Sequence, residues 1–374
     1  MELLYQHMMK LCEGEKTPFY MKDFPLGGKL YRVFSYHAAI PRDFAEPTTL
    51  EARGIMFEVR DDGRPIRIAS RPMQKFFNKG EHPAFDIPSL EPADVVAIYE
   101  KADGSLISSF MHDGEVRVKS KTSLFSDHAK AAQEFLYGDD WLLAAVEQLE
   151  REGYTVNMEW VSPDPKFRIV VHYSNPGLIV LNARHRESGL YLPRDILETT
   201  FGNLSQGGYL TKKYDHDCLT SYIDTSMMEG YVVVGANGEW IKLKTPWYLE
   251  RHRAKDFINR PTAFIEMVIK DELDDVMALL DQEDVRRQAE EWAFIVTRLM
   301  NETINRVTEF YRENRELSRK DYAIKAQSAL TKNEFTLAMM YFAKQEEPDW
   351  KAFFLKQVKK IDWGIDLEEK QEAA

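Results

Sequence analysis

The sequence predicts an α+β protein, with an antiparallel-sheet domain over residues 1–250 followed by an all-helical domain over residues 251–374. Two observations favour this division. Before residue 250, strand-like runs are repeatedly separated by Asp-Gly or Asn-Gly, the dipeptides that tight hairpins prefer. After Tyr248, apolar residues recur instead at helical spacing. Because strands and helices do not alternate regularly, a doubly wound parallel sheet is not expected.

Hairpin signals mark three segments of the first domain, residues 55–70, 106–121 and 231–244. Between the second and third, residues 126–153 have the composition of helices. In the second domain, the helical period is clearest over residues 288–314. Two further helical segments are predicted within residues 322–344 and 350–361.

Composition and charge restrict the classes of protein to consider. The chain has 374 residues, 44% hydrophobic and 29% charged, which is typical of a globular protein with two or three domains. Its longest apolar runs are shorter than the roughly 18–20 residues that span a bilayer, so no membrane association is expected. The net charge of −12 argues against a protein that coats nucleic acid indiscriminately. Any nucleic-acid partner would have to bind a local cationic cleft.

The N-terminus and the cysteines predict where the protein works. Residues 1–16 are typical of an amphipathic helix and lack the basic start of a secretory signal. Cys12 and Cys218 form no CxxC pair and have no histidine nearby. They favour a reducing compartment, hence the cytoplasm.

Several common active-site motifs are absent from the sequence. It contains no GxxxxGK[ST] phosphate loop, no GxGxxG, no HExxH and no GxSxG, and its nine histidines lack metal-ligand spacing. These absences argue against a P-loop nucleotide hydrolase, a dinucleotide-binding enzyme, a zinc protease of the HExxH type and an α/β-hydrolase.

Lys101 is the residue most indicative of chemistry. It ends the strand-like run VVAIYEK and precedes a turn at Asp103-Gly104. A lysine there is either a solvated strand end or a nucleophile at the mouth of a pocket. Period-two spacing places Lys242 and Lys244 on one face of their strand. By the same spacing, the run EVRVKSK puts three cations on one face, and YTVNMEWV does so for Thr155, Asn157 and Glu159. Cations on several strands indicate a shared anionic ligand such as a nucleotide phosphate.

A lysine nucleophile needs help from its surroundings. Its ordinary pKa of about 10.4 keeps the amine protonated at neutral pH. We expect neighbouring cations and partial burial to lower the pKa of Lys101 and release the amine. The same cations would stabilise charge that builds on a phosphate. Mg²⁺ would bridge the phosphate oxygens and help pyrophosphate to leave.

The motifs are similar to those of a known superfamily. Lys101-Ala102-Asp103-Gly104 resembles the nucleotidyl-lysine motif of the covalent nucleotidyltransferases, which include ATP-dependent ligases and mRNA capping enzymes. Met158-Glu159 resembles the third motif, Glu229-Gly230-Tyr231-Val232 the fourth and Ile241-Lys242-Leu243-Lys244 the fifth. The segments LYRVFSY, EARGIMFE, ASRPMQKFFN and LKTPWY more narrowly resemble the RNA ligase family of T-even phages. One departure is Ala102, where phage relatives often carry an acid.

This resemblance implies an ATP-dependent RNA ligase that works in three steps. Lys101 attacks the α-phosphorus of ATP, AMP passes from the lysine to an RNA 5′-phosphate, and an RNA 3′-hydroxyl then displaces AMP. The implied partners are RNA ends, either single-stranded or from broken tRNA, and an end-healing polynucleotide kinase/phosphatase. The host would be a phage-infected bacterial cell, and the helical domain would help to select the RNA.

The resemblance also assigns roles to individual residues. Lys101 is the nucleophile, and Asp103 and Gly104 shape its turn. The other implied roles are ATP-phosphate contacts for Arg53, Lys75, Lys242 and Lys244, a nucleotide contact for Tyr36, a ribose or nucleotide contact for Glu159, a carboxylate near the lysine or metal for Glu229, positions important for activity for Lys119 and Tyr248, and a metal contact for Asp274.

Other readings of the sequence stay open at this stage. A DNA ligase or a GTP-dependent capping enzyme shares the same motifs, but these enzymes usually follow the fifth motif with a small β-barrel instead of helices. A non-catalytic RNA-binding protein is a third possibility, against which stand the net charge of −12 and the complete set of motif residues.

Overall fold

The computed structural model describes residues 1–13, 17–37, 39–258, 260–270, 273, 277, 280 and 283–365. By its internal contacts the chain divides into a unit of residues 1–249 and a unit of residues 250–373. The first contains three sheets and the second is helical. The expected α+β class, with antiparallel sheets and a helical C-terminal part, is therefore confirmed.

The first sheet is an antiparallel meander preceded by helix α1, Glu2–Leu11. Its strands run in the order β1-β2-β3-β4: β1 Phe19–Leu26, β2 Lys29–Tyr36, β3 Met56–Val59 and β4 Pro65–Ser70. The rings of Tyr5, Phe34 and Phe57 meet edge to face beneath it, with ring centroids 5.1–5.8 Å apart. These contacts hold α1 against the sheet.

Three helices cover the second antiparallel sheet. Its order is β10-β9-β7-β8, with β7 Ser105–His112, β8 Glu115–Ser120, β9 Tyr154–Val161 and β10 Gly177–His185. The helices are α2 Asp127–Tyr137, α3 Asp140–Arg151 and α4 Arg194–Phe201. Ser126 and Asp139 cap α2 and α3 by accepting a hydrogen bond from a first-turn N–H.

The third sheet carries three of the predicted site cations, Lys101, Lys242 and Lys244. Its order is β11-β6-β12-β13-β5, with β5 Phe77–Asn78, β6 Val95–Lys101, β11 Lys213–Tyr214, β12 Gly230–Gly235 and β13 Trp240–Lys244. Its pairs are antiparallel except for β13 with β5, which is parallel. Gly230 pairs with Lys101 on one side and Lys244 on the other. A Cβ there would lie 2.0 Å from the Leu243 carbonyl oxygen, and φ is +146°, so only glycine fits.

Short 3₁₀ turns lie between the strands of the first unit. They are Pro41–Phe44, Pro47–Glu51, Pro83–Phe85, Leu204–Gln206, His216–Leu219 and Tyr222–Asp224.

The second unit packs its helices around an aromatic and aliphatic core. The helices are α5 Pro246–Ile258, which begins in the first unit, α6 Pro261–Lys270, α7 Glu283–Asn314, α8 Arg319–Ala329, α9 Lys332–Lys344 and α10 Trp350–Gln357. Val296, Val307, Tyr322 and Leu337 are fully buried there. The three predicted hairpins and the predicted helical segments are confirmed. Over the described residues, no helix combines the length and apolar character that crossing a membrane requires.

Candidate active site

Lys101 lies at the end of β6, where its amine contacts a buried carboxylate. Lys101 Nζ is 2.7 Å from Glu229 Oε2, and Lys244 Nζ is 2.9 Å from Glu229 Oε1. The sheet register explains this triad, because Gly230, next to Glu229, pairs with both lysines. The Glu229 side chain is only 4% exposed, so these ammonium groups are its principal charge partners.

This geometry corrects the expected pKa of Lys101. Burial lowers that pKa, but the carboxylates of Glu229 and Glu159 outweigh burial and raise it above its ordinary value. The prediction of a lowered pKa is therefore wrong for the free protein, because carboxylates and not cations lie nearest the amine. Burial raises the pKa of Glu229, but Lys101 and Lys244 more than compensate, so it is lowered. Lys101 is thus held as an ammonium ion.

Asp103 fixes the turn after Lys101. Its Oδ2 accepts hydrogen bonds from the N–H groups of Val170 and Val171, at 2.8 and 2.7 Å, and Oδ1 accepts one from the Tyr248 hydroxyl at 2.8 Å. The Asp103 N–H donates in turn to the Tyr173 hydroxyl, at 3.0 Å. Asp103 is buried, so these bonds tie two distant segments to the turn with little competition from water.

Gly104 is required by close backbone approach. A Cβ at this position would lie 2.2 Å from the Trp160 carbonyl oxygen. The glycine lets β7 leave the turn directly beside β9. Asp103 and Gly104 thus have the geometry of residues that shape the turn.

A pocket opens beside Lys101 and encloses about 580 Å³ of empty space, mouth included. Four of the predicted site residues line it: Arg53, Lys101, Glu159 and Lys242. The remaining lining is Met73, Phe76, Tyr99, Glu100, Ala102, Leu181, Asn182, Thr211, Val232 and Trp240. The pocket therefore combines apolar and aromatic side chains with the cations Arg53, Lys101 and Lys242, a lining that suits a base carrying phosphates.

The cations near the mouth lie against aromatic faces. Phe76 has Arg53 on its ring at 5.5 Å and Lys242 at 4.9 Å. Tyr36 has Lys75 at 5.9 Å and Lys121 at 5.1 Å. Within the described part of the chain, none of these four cations has a carboxylate oxygen within 4.0 Å. Ring faces attract cations without neutralising them, so the positive charge stays available to an anionic ligand.

Crowding of like charges is visible in the pKa values. The pKa of Lys242 lies well below its ordinary value. Burial is the largest cause, and Lys75, Arg53 and other cations add to it. Burial, Arg53 and Lys75 likewise lower the pKa of Lys121 to about 8. Burial also lowers the pKa of Lys75. A bound polyanion would favour the protonated form of each lysine.

Lys119 and Lys121 differ in their surroundings. Lys119 is fully buried, and its Nζ donates to the backbone carbonyls of Ser120 and Lys121, at 3.1 and 3.4 Å. Burial lowers its pKa to about 7. Lys121 instead reaches the Tyr36 ring beside Lys75. The geometry therefore adds Lys121 to the candidate site, although the sequence reading singled out Lys119.

The other predicted residues have definite places. Tyr248 is buried, and Lys244 lies over its ring at 4.8 Å. Tyr36 lies beside Lys75 and Lys121 and is not among the residues that line the pocket. Asp274 falls outside the described residues.

Sequence reading missed the apolar walls and two residues of the polar shell. Met73, Phe76 and Trp240 follow no period that distinguishes a pocket wall from a core, so no sequence signal marked them. Lys121 could have been found, since it shares a strand face with Lys119 in EVRVKSK. Tyr173 comes from an irregular segment whose contact with Asp103 only the fold reveals.

Glu159 is the carboxyl that best fits a divalent cation carried with a nucleotide. It lines the pocket, and burial raises its pKa to about 7. Nearby positive charge therefore does not offset the cost of burying the ionised carboxylate. Mg²⁺ is commonly held by one or two carboxylates together with substrate phosphates. Among the described residues, no group of three or more His, Cys, Asp or Glu side chains is arranged to hold a metal by itself. Glu159 therefore fits a metal that arrives with its ligand.

Comparisons with known proteins identify related sequences over most of the chain. A family model described as RNA ligase matches residues 51–248, and one described as the C-terminal domain of T4 RNA ligase 1 matches residues 255–361. A "Putative RNA ligase" of Thermovibrio ammonificans is 28% identical over 77% of this chain and 74% of its own length. RNA ligase 1 of bacteriophage TS2126 is 30% identical over 68% of this chain and 65% of its own length. A "Putative bifunctional polynucleotide kinase/RNA ligase" of Autographa californica nuclear polyhedrosis virus is 24% identical over 66% and 37%.

Proposed function

Because the chain belongs to the RNA ligase family that includes T4 RNA ligase 1, we propose that it joins RNA ends at the expense of ATP, with Lys101 as the nucleophile. The observation that carries the proposal is the position of Lys101. Its amine lies at the mouth of a pocket that Arg53 and Lys242 also line. A base and a triphosphate bound there would place the α-phosphorus beside the Lys101 amine at the end of β6.

The first step forms a bond between Lys101 Nζ and the α-phosphorus and breaks the bond to the β-phosphate oxygen, releasing pyrophosphate. The ammonium of Lys101 must first lose a proton. Triphosphate binding draws Lys244 and Lys242 toward phosphate oxygens and so disturbs the triad around Glu229. Mg²⁺ bound with the nucleotide supplies further positive charge for the phosphate oxygens and the leaving group. Glu159 is the residue we assign to it.

The cations of the candidate site would bind different phosphates of the nucleotide. Lys242 and Lys244 would serve the α-phosphate: they are on β13, which β12 separates from Lys101, and Lys244 pairs with the same Gly230 as Lys101 does. Arg53, against the Phe76 ring, and Lys75 and Lys121, against the Tyr36 ring, would bind the departing pyrophosphate. Preorganised cations of this kind stabilise charge that develops in the transition state.

The later steps require RNA with a 5′-phosphate and a 3′-hydroxyl. AMP passes from Lys101 to the 5′-phosphate, and the 3′-hydroxyl then attacks that phosphate and releases AMP. Breaks that carry other end groups would need a kinase and a phosphatase first, so we propose such an end-healing enzyme as a functional partner and broken tRNA as a substrate. The name of the baculovirus relative, which joins a polynucleotide kinase to an RNA ligase, supports this pairing.

The two parts of the chain would divide the work. Residues 1–250 would carry adenylyl transfer, since the candidate site lies among them. Residues 251–374 would select the RNA. Free Cys12 and Cys218 favour a reducing compartment, so we place the activity in the cytoplasm of a host cell.

Incubation with α-labelled ATP and Mg²⁺, followed by denaturing electrophoresis, tests the proposal. The expected result is a labelled band that acid releases and that GTP does not produce. Transfer of the label to 5′-phosphorylated RNA would then distinguish an RNA ligase from a DNA ligase or a capping enzyme. A folded, initially unadenylylated protein that forms no labelled band would contradict the proposal.

A further inference from the structure

A buried carboxylate behind the pocket is held by two arginines. Glu51 Oε1 accepts hydrogen bonds from Arg184 Nη2 at 2.7 Å and Arg71 Nη2 at 2.8 Å. Its Oε2 accepts from Arg184 Nη1 at 2.8 Å and Arg71 Nε at 3.3 Å. All three residues are buried. We call Glu51, Arg71 and Arg184 the Glu51 cluster.

The remaining donors of the cluster bind the backbone of two further segments. Arg184 Nη1 donates to the Pro72 carbonyl at 2.9 Å, and Arg184 Nη2 to Gln74 Oε1 at 3.3 Å. Arg71 Nη1 donates to the carbonyls of Arg186 and Glu187, both at 2.9 Å. The cluster therefore fixes residues 72–74 against the end of β10.

Residues 72–75 and 51–53 carry the phosphate-side cations. Arg53 follows Glu51 by two positions, and its Nη1 donates to the Met73 carbonyl at 3.3 Å. The Lys75 N–H donates to the Leu50 carbonyl at 2.8 Å. Both cations are thus attached to backbone that the Glu51 cluster holds.

The cluster also reaches the base side of the pocket. The Arg184 guanidinium lies 5.3 Å from the centre of the Tyr191 ring, and the Tyr191 hydroxyl accepts from the Gln74 N–H at 3.3 Å. Tyr191 stacks on Trp240 with ring centroids 4.9 Å apart, and Trp240 lines the pocket. One buried network therefore contacts both walls.

We propose that Glu51, clamped by Arg71 and Arg184, is a positioning residue that sets Arg53 and Lys75 at the correct distance from the base wall formed by Trp240. The proposal rests on the proposed function, since it concerns the nucleotide site. Glu51 touches no nucleotide and acts through the residues that do.

Two features separate this arrangement from an ordinary stabilising ion pair. Two guanidinium groups surround one carboxylate, so the cluster leaves one positive charge buried behind the site of an anionic ligand. Buried ion pairs are also weak evidence for stability, because desolvation offsets much of the attraction. Their clearest use is to fix one geometry, and bidentate arginine contacts are well suited to that.

The same domain contains a matched control. Glu150 is fully buried and accepts from Arg186 Nη1 at 2.7 Å and from Ser109 Oγ at 2.5 Å. Glu150 is not among the residues that line the pocket. Glu150→Gln should therefore report the cost of disturbing a buried carboxylate away from the nucleotide.

The experiment measures the Kd of α,β-methylene-ATP by calorimetry and the Tm by thermal unfolding, for the wild type, Glu51→Gln, Arg184→Lys and Glu150→Gln. We expect Glu51→Gln and Arg184→Lys to raise Kd about tenfold relative to Glu150→Gln at a comparable loss of Tm, because misplaced phosphate contacts weaken binding steeply. Arg184→Lys keeps the charge and removes the planar fork, so it serves if Glu51→Gln folds poorly.

Equal Kd values in the three variants would overturn the proposal and leave the cluster a purely structural element. Labelling of the wild type with α-labelled ATP separates this outcome from failure of the proposed function. Analogue binding by the wild type without a labelled adduct would contradict ligase chemistry, while a Kd difference between Glu51→Gln and Glu150→Gln would still support the positioning role. A wild type that bound no analogue would overturn both.

Discussion

The Tyr248 hydroxyl donates a 2.8 Å hydrogen bond to Asp103, which lies 145 positions earlier in the chain and two residues after Lys101. Both groups are buried, and Tyr248 stands in the first turn of α5. The start of this helix is thereby tied to the turn that follows Lys101.

Tyr248→Phe should weaken the protein and slow adenylylation together. Removing the hydroxyl leaves Asp103 with two backbone donors, and an underpartnered buried acceptor costs about 1–3 kcal/mol. We expect a loss of that size in the free energy of urea unfolding and a slower first step. Tyr322→Phe is the control, because this buried hydroxyl donates to the Ala338 carbonyl in the helical unit. Unchanged adenylylation in Tyr248→Phe would disprove the link between the helix and the turn.

Lys101→Ala should abolish the labelled adduct without unfolding the protein. Lys101 ends a strand and supports no apolar core, and Glu229 would keep its contact with Lys244. Denaturing electrophoresis after incubation with α-labelled ATP measures the adduct, and circular dichroism measures folding. Lys130→Ala, at a lysine 62% exposed on α2, is the control and should label normally. A label that persisted in Lys101→Ala would place the nucleophile elsewhere.

Lys242→Met and Lys244→Met should each slow adenylylation by about 10²-fold, the usual cost of removing one group that stabilises developing charge. Single-turnover kinetics with α-labelled ATP give the rate of the chemical step. We expect Lys244→Met also to alter the pH dependence, because Glu229 would then be left with Lys101 alone. Normal rates in both variants would show that this face of β13 is ordinary surface.

Lys119→Met and Lys121→Met should have different effects. The folded-state pKa of Lys119, about 7, lies below its unfolded value of 10.5, so the folded protein binds fewer protons between these values and stability rises with pH there. Lys119→Met should remove this slope and stabilise the protein at neutral pH, as urea unfolding at several pH values would show. Lys121→Met should mainly weaken nucleotide binding. If Lys119→Met weakened nucleotide binding and Lys121→Met did not, Lys119 and not Lys121 would belong to the nucleotide site.

Glu159→Gln should change how stability depends on pH in the acidic range. The folded-state pKa of Glu159, about 7, exceeds its unfolded value of 4.5, so the folded protein holds an extra proton between these values, and the stability contributed by this group falls as pH rises. Between pH 5 and pH 7, the free energy of unfolding measured with urea should fall less in the variant than in the wild type. An identical difference in the two proteins would mean that Glu159 is already compensated.

Local rules were sufficient to predict much of the fold. The Asp-Gly and Asn-Gly turns located the hairpins, and period-two spacing placed Lys242 and Lys244 on one strand face, as their partial exposure between buried Ile241 and Leu243 shows. The clamp on Asp103 could not be read in this way. Val170 and Val171 donate from an irregular segment, and contacts between irregular segments follow no period.

The pKa of Lys101 shows a second limit of sequence reasoning. Cations near the motifs were visible in the sequence, but the sign of the shift depends on which charge lies nearest the amine. Sheet register decides this, since pairing through Gly230 brings Glu229 within 2.7 Å of Lys101. That register emerges only when strands far apart in the chain are assembled.

The pairing of Lys101 with Glu229 also affects how the protein responds to chemical reagents. An amine held as a partly buried ammonium ion is a poor target for acylating probes, so general lysine-reactive compounds should modify the exposed lysines first. A selective inactivator would need an anionic group that enters the cationic mouth and loosens the Glu229 contact before its electrophile meets the amine. The resting protein thereby carries its own protection against indiscriminate modification.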